Sequence, residues 1–260
     1  MKISELKNKK TGIVLSGGGV KAGAHIGVLK ALTERKIYPE VVSGVSAGAI
    51  VGALYANDVG AEEMLKFFKE TPLLKYNFFT LNKPGLFDTD RYREFLEVHF
   101  KENNFEALKR ALHIVATNLE DGCEAFFNSG KLIEPILASA ALPPVFSPVK
   151  FNNVLYIDGG VMNNFPIEPL QNKCDFIIGC YTSSMVPVSK KNLNSSLKLT
   201  TRTNVLMIHA NSAYKLSIPD ILFRPNNLDD IGVLDKKGLE KAYNIGYEHA
   251  NSMLDNYFKS

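Results

Sequence analysis

Between Ile13 and Asn57 the chain twice runs from a short apolar stretch, through a turn of small residues, into a stretch with helical spacing. In the first unit Ile13 to Leu15 begins a strand, Gly17-Gly18-Gly19 turns the chain, and Ala22 to Leu32 carries apolar residues at helical intervals. In the second, Val41 and Val42 form a brief strand, and Gly44-Val45-Ser46-Ala47-Gly48 leads into the small-residue helix AIVGALYAN. Further on, ALHIVATNL, EAFFNSG, NVLYIDGG and DFIIGCY read as strands, and LIEPILASAAL as a helix among them. Such alternation predicts a layered α/β fold with a largely parallel sheet.

The 260 residues suffice for one large core and contain no strong linker, so residues 1–260 are expected to form a single domain. From about Ala61 to Phe100 the chain is aromatic-rich and helix-like, with breaks at Pro72 and Pro84-Gly85. Asp88-Thr89-Asp90 supplies N-cap material for a helix around RYREFLEVHF, and the whole segment would form a cap, a groove wall or plain core. SKKNLNSSLKLTT reads as a loop or the start of a surface helix, and GLEKAYNIGYEHANSML as an amphipathic helix. A net charge of +3, spread along the chain, lacks the clustered basic face of a nucleic-acid binder; weak attraction to anionic lipid surfaces stays open. Cys123, Cys174 and Cys180 have neither the number nor the spacing for a disulfide framework or a zinc site, and burial as small hydrophobes in a reducing interior suits them. The polar start MKISELKNKKTG has no apolar h-region, and no later apolar run is long enough to span a bilayer. The expectation is a cytoplasmic protein with, at most, peripheral membrane contact.

Three readings compete for the glycine turn. Gly17-Gly18-Gly19-Val20-Lys21-Ala22 fits the G-x-G-x-x-G/A of a dinucleotide site, but Glu40, near the distance of the ribose-binding acid, precedes the Val41-Val42 strand instead of following it. A Walker loop fits worse, because Ala22 stands where Ser or Thr should follow Lys21. The third reading is an oxyanion hole, in which glycine N–H groups unobstructed by Cβ converge on a negative oxygen at a helix N-terminus. A tight turn chosen only for sterics would use the same residues.

An oxyanion hole needs a nucleophile, and Gly44-Val45-Ser46-Ala47-Gly48 is G-x-S-x-G between a strand and a helix, where a sharp turn lifts the serine hydroxyl above the sheet. A serine that merely caps the helix fits the same spacing. Serine is a poor nucleophile without a positioned base. Asp158, in YIDGGVMNNFP, ends a strand just before Gly159 and Gly160, which suits either an aimed carboxylate or ordinary turn chemistry. The order Ser46, Asp158, then His209 or His249 would suit an α/β-hydrolase triad. Against a triad, Ser46 follows only the second strand, and these histidines lie in MIHANS and YEHANS without turn signals. His25, just after the glycine turn, reads as a structural hydrogen-bonder or a site neighbour.

Taken in order, SGGGVKAGAHIGVLKAL, GVSAGAI, ASAALPPVFSPV and YIDGGVMNNFPI resemble the patatin-like phospholipase family, especially its short bacterial members related to the neuropathy target esterase catalytic domain. The resemblance covers residues 11–180 and fades beyond. It implies a three-layer α/β/α fold with a mainly parallel central sheet, and a Ser-Asp dyad working without histidine, cofactor or metal. Ser46 matches the family's nucleophile, Asp158 its base, and Gly17, Gly18 and Gly19 its oxyanion turn, while Gly44, Gly48, Gly159 and Gly160 complete the two catalytic motifs. Lys21 stands where the family has Arg or Lys, and would either hold the loop or attract an anionic head group. Ala22 replaces a more frequent glycine, with Gly23 following, and ASAALPPVFSP matches a stretch that supports the active-site wall. The implied activity is hydrolysis of fatty-acyl esters of phospholipids or lysophospholipids. A lipid-binding protein that keeps the fold without turnover is the alternative outside the enzymes.

Overall fold

A computed structural model describes residues 3–6, 8–72, 78–80, 82–183, 185 and 187–258. Thr11–Leu15 (β1) and Val41–Val45 (β2) are buried along their whole length and pair in parallel, Gly12 beside Val41 and Leu15 beside Gly44. Burial on both faces lets β2 run past its valine pair through Ser43, whose hydroxyl donates to Pro166 O at 2.5 Å and so enters the core with its polarity satisfied. Ala111–Asn118 (β3), Cys123–Phe127 (β4), Val149–Phe151 (β5), Val154–Asp158 (β6), Phe176–Cys180 (β7) and Ile221–Phe223 (β8) complete one sheet. Its ladders run β5-β6-β3-β2-β1-β7-β8, with β4 paired to β3. Every pairing among β3, β2, β1, β7 and β8 is parallel, while β4, β5 and β6 add an antiparallel end.

The helices are Ile3–Leu6 (α1), Gly23–Glu34 (α2), Ala47–Ala56 (α3), Ala61–Glu70 (α4), Arg93–Glu97 (α5), Ile133–Ser139 (α6), Glu168–Gln171 (α7), Ser196–Ala213 (α8) and Leu239–Phe258 (α9). Alternation along β1 sorts the two faces: Ile13 and Leu15 join the large core under α2, α3, α4, α6 and α9, and Val14 joins a smaller one with Phe165, Ile167 and Leu170 beside α7. The result is the expected three-layer α/β/α arrangement, with unequal layers. The closing amphipathic stretch is α9, which packs along α2, and the SKKNLNSSLKLTT segment becomes a short 3-10 turn, Lys190–Leu193, followed by α8 with Ser195 as its cap.

Several local expectations change. RYREFLEVHF is α-helical only over Arg93–Glu97; the turn before it, Thr89–Tyr92, is a 3-10 helix capped by Asp88, whose side chain takes the N–H of Asp90. Residues 73–77 and 81 of the aromatic segment lie outside the described residues. Asn152 and Asn153, with φ of 48° and 66°, form a two-residue hairpin turn that joins β5 to β6, a signal that reading NVLYIDGG as a lone strand passes over. Cys180 is buried and Cys174 partly so, but Cys123 on the antiparallel end of the sheet is exposed, against the expectation of burial.

Candidate active site

Residues 111–115 of β3 pair with β2, and residues 116–118 pair with β6. Residues 114–118 also pair with β4, which must occupy the opposite edge, so β2 and β6 share one edge of β3. They approach along it from opposite ends. β2 runs parallel to β3 and stops with Val45 opposite Val115; β6 runs antiparallel and stops with Asp158 opposite Ala116. Neither strand can continue without meeting the other. Both turn out of the sheet at this point, and the sequence places Ser46 on one tip and Asp158 on the other.

Ser46 makes its turn with φ 54° and ψ −129°, a conformation a non-glycine residue holds at a cost of about 1–3 kcal/mol. Small neighbours make the turn possible: a Cβ on Gly44 would lie 2.6 Å from Gly48 O, and one on Gly48 would lie 2.4 Å from both Leu15 O and Ser16 O. The hydroxyl does not cap α3, which removes the helix-capping reading. It donates to Asp158 Oδ2 at 2.6 Å. The Ser46 N–H donates to Ser139 Oγ at 2.8 Å, and Ser139 in turn donates to Val115 O at 2.6 Å. Val115 stands where the ladder on that edge passes from β2 to β6, so a buried serine hydroxyl bridges the break and holds the tip of β2. Ser139 belongs to the ASAALPPVFSP stretch, where nothing in the local sequence marks this role.

Asp158 is 3% exposed. Its backbone is tied in by Asp158 N to Ala141 O (3.0 Å) and by Thr117 Oγ1 to Asp158 O (2.9 Å). Oδ1 accepts from Gly160 N at 2.7 Å, in a 3-10 turn over Gly159–Val161 that leaves Oδ2 for Ser46. Burial pushes the carboxyl up to about 6, against the opposing pull of the Ser46 hydroxyl and the Gly160 N–H.

The glycine turn lies alongside, with Ser46 Cβ 3.2 Å from where a Gly17 Cβ would stand. Its three amides are not equivalent. Gly17 N donates to Asn164 Oδ1 at 3.1 Å, whereas Gly18 N and Gly19 N donate to no other described residue. Gly19 has φ +58°, and a Cβ there would sit 2.1 Å from Val233 O, so this position takes glycine alone. Asn164, six residues past Asp158, thus ties the glycine turn to the Asp158 loop; its place in a run of turn residues gave no sign of that. Lys21 braces the turn through its backbone, N–H to Gly18 O at 3.2 Å, and burial lowers its ammonium pKa against the pull of Asp229. Glu40 opens β2 at the other end of the sheet, its N–H donating to Thr11 O.

No histidine hydrogen-bonds Ser46 or Asp158 among the described residues. His209 Nδ1 faces Tyr181 OH at 2.8 Å, and His249 Nε2 accepts from Arg224 N at 3.3 Å. The Ser46-Asp158-His arrangement is therefore not assembled. His25 is fully buried under the turn, its Nε2 2.8 Å from Ser16 O, and burial lowers its pKa to about 4. Beside Ser46 opens a cavity of about 120 Å³ whose walls are apolar, including Ile50 of α3, Phe67 and Phe68 of α4, Leu96 of α5 and Ile136 of α6. The aromatic segment thus contributes a wall as well as core.

The sequence model of the patatin-like phospholipase family matches residues 13–170. Among curated proteins the chain is 24% identical to lysophospholipase NTE1 of Scheffersomyces stipitis, over 98% of this chain and 18% of that protein, and 27% identical to lysophospholipase NTE1 of Coccidioides immitis, over 96% and 18%. It spans less than a fifth of the length of these relatives. Among solved structures, VipD from Legionella pneumophila superposes with a TM-score of 0.53 at 16% identity, over 95% of this chain and 67% of that one, a likeness of fold. The stretch matched by the family model covers more than half of the chain, from the strand before the glycine turn to beyond the Asp158 loop, and the chain belongs to the patatin-like phospholipase family.

Proposed function

We propose that the chain is a serine acyl hydrolase acting on fatty-acyl esters of phospholipids or lysophospholipids, with Ser46 as nucleophile and Asp158 as base. The observation that carries this reading is the 2.6 Å Ser46 Oγ to Asp158 Oδ2 hydrogen bond at the edge of an apolar cavity. With a carboxyl pKa of about 6, Asp158 is mostly ionised at pH 7 and still basic enough to take a proton. As Ser46 Oγ attacks the ester carbonyl, its proton passes to Asp158 Oδ2, and the carbonyl oxygen becomes an oxyanion. Gly18 N–H and Gly19 N–H are the donors left unspent to receive it, within a turn that Gly17 anchors through Asn164. Protonated Asp158 then gives its proton to the leaving alcohol, and afterwards takes one from the water that cleaves the acyl-enzyme.

The cavity walls suit an acyl chain, whose methylenes each gain about 0.8 kcal/mol on leaving water. The names of the relatives agree with a lysolipid or phospholipid as the ester. We further read the described residues as one domain, since β7 and β8 continue the sheet that carries the site and α9 packs along α2. The test is hydrolysis of a panel of phospholipids, lysophospholipids and simple esters by the wild type, Ser46→Ala and Asp158→Asn, with fluorophosphonate labelling of Ser46. Loss of at least about 10³-fold in kcat for either variant is expected. Undiminished hydrolysis by Ser46→Ala would refute the dyad, and folded wild type that neither labels nor hydrolyses would favour a binding protein.

A further inference from the structure

Helix α8 departs from the way the other long helices are held. An 18-residue helix is normally stabilised by burying one apolar face, yet among its described side chains only Ser212 is buried. Leu199, Leu206 and Met207 are 54%, 46% and 59% exposed. At about 100° per residue, Leu199, Thr203, Leu206, Met207 and Ala210 fall on one face, an outward stripe some 16 Å long. Tyr214 and Ile218, also exposed, continue apolar surface past the helix end. Scattered apolar side chains on a surface need no explanation, but a contiguous stripe does.

The charge of the same region is one-sided. No aspartate or glutamate occurs between Asp175 and Asp220, while Lys190, Lys191 and Lys198 are exposed and Arg202 is half-buried. Lys215, the remaining cation of the stretch, is buried and paired with Glu168. The helix is also tied to the candidate site: Asn211 Nδ2 donates to Val161 O at 3.1 Å, in the turn that follows Asp158, and His209 meets Tyr181 just beyond β7.

We propose that α8 is an interfacial helix that seats this site on an anionic lipid surface, its apolar stripe in the acyl boundary and its cations at the level of the phosphates. The inference rests on the reading of the substrate as a lipid ester, and adds which face meets the lipid and which head-group charge it prefers. A second copy of the chain fits less well, because a two-fold contact through this face would set the exposed Lys190, Lys191 and Lys198 against their own copies.

The test is sedimentation of the full chain with phosphatidylglycerol vesicles and with phosphatidylcholine vesicles, for the wild type, the double variant Leu206→Glu/Met207→Glu, and Lys191→Glu/Lys198→Glu. The wild type is expected to partition at least about tenfold more strongly onto phosphatidylglycerol, with the preference fading at about 1 M salt, where the screening length falls to about 3 Å. Both variants should lose at least about tenfold in partitioning while hydrolysing a water-soluble short-chain ester at the wild-type rate. The proposal is overturned if the wild type ignores phosphatidylglycerol vesicles at low salt, if both variants bind as the wild type does, or if the wild type is a dimer that Leu206→Glu/Met207→Glu separates. Failure of the hydrolase reading shows separately, as absent hydrolysis of the soluble ester by the wild type, because vesicle binding does not depend on turnover.

Discussion

Asp158→Asn should stabilise the protein, and by an amount that depends on pH. The side chain is 3% exposed, and burial moves its carboxyl from its ordinary value of 3.8 to about 6. A carboxylate whose pKa rises on folding binds its proton more tightly in the native state, so the folded protein loses stability as pH rises through the window between the two values. Below pH 3.8 both states are protonated and the cost vanishes; above about 6 it is complete. At about 1.36 kcal/mol per pKa unit, ionised Asp158 costs the fold about 3 kcal/mol near neutral pH and about half of that at pH 5. Asparagine carries no such charge and keeps the local bonds, since its Oδ1 can accept from Gly160 N and its Nδ2 can donate to Ser46 Oγ. Urea denaturation of the wild type and Asp158→Asn at pH 3, 5 and 7.5 reads the difference directly. The expected advantage of the variant grows from near zero to about 3 kcal/mol across that series, together with loss of esterase activity. A constant difference at all three values, or a variant less stable at pH 7.5, would refute the argument that desolvation sets the carboxyl pKa.

Three further outcomes follow from the geometry. With Asp158 as the proposed base, which acts only when ionised, the kcat/KM of the wild type should rise tenfold per pH unit below about 6 and level off above it; a limb centred near 4 would contradict this. Ser139→Ala strips the Ser46 N–H of its acceptor and Val115 O of its donor, each a loss of about 1–3 kcal/mol, so denaturation should show about 2–6 kcal/mol of destabilisation and kcat should fall with it. Asn164→Ala should lower kcat by about tenfold by freeing Gly17 N–H from its anchor; Asn164→Asp restores an acceptor but sets a second carboxylate close to Asp158, so its kcat/KM limb should move to higher pH.

The parts of the fold legible in the sequence are those where pattern and local chemistry agree. The two strand–turn–helix units, β3, β7, α6 and α9 follow from apolar periodicity, and Asp88 from its capping chemistry. The hairpin at Asn152-Asn153 was written in its turn residues, but β5 is only three residues long and only Val149 of it is buried, too little for a pattern to register. The catalytic candidates stood out because each has a backbone requirement that glycine neighbours advertise. Ser139 and Asn164 do not: their roles are hydrogen bonds to residues 93 and 147 positions away in sequence, and such long-range partners leave no local trace.

The meeting of β2 and β6 explains how the carboxylate of the proposed dyad comes to stand against the serine hydroxyl, in the place histidine would take in a triad. Aspartate with an ordinary pKa is a poor base, and it compensates through burial and direct contact. A side chain on a loop would need packing to hold such contact. Here both tips are registered against consecutive residues of one strand, Val115 and Ala116, so the separation of Ser46 and Asp158 is set by the spacing of a β-ladder. The same collision forces each chain out of the sheet, which lifts Ser46 into its strained turn and swings Gly160 N–H round to Asp158 Oδ1. Oδ2 is thereby left facing the hydroxyl, and imidazole would have no room to intervene across 2.6 Å. The strain at Ser46 and the buried charge at Asp158 are therefore consequences of one topological fact, and the rest of the core must supply the several kcal/mol that both require.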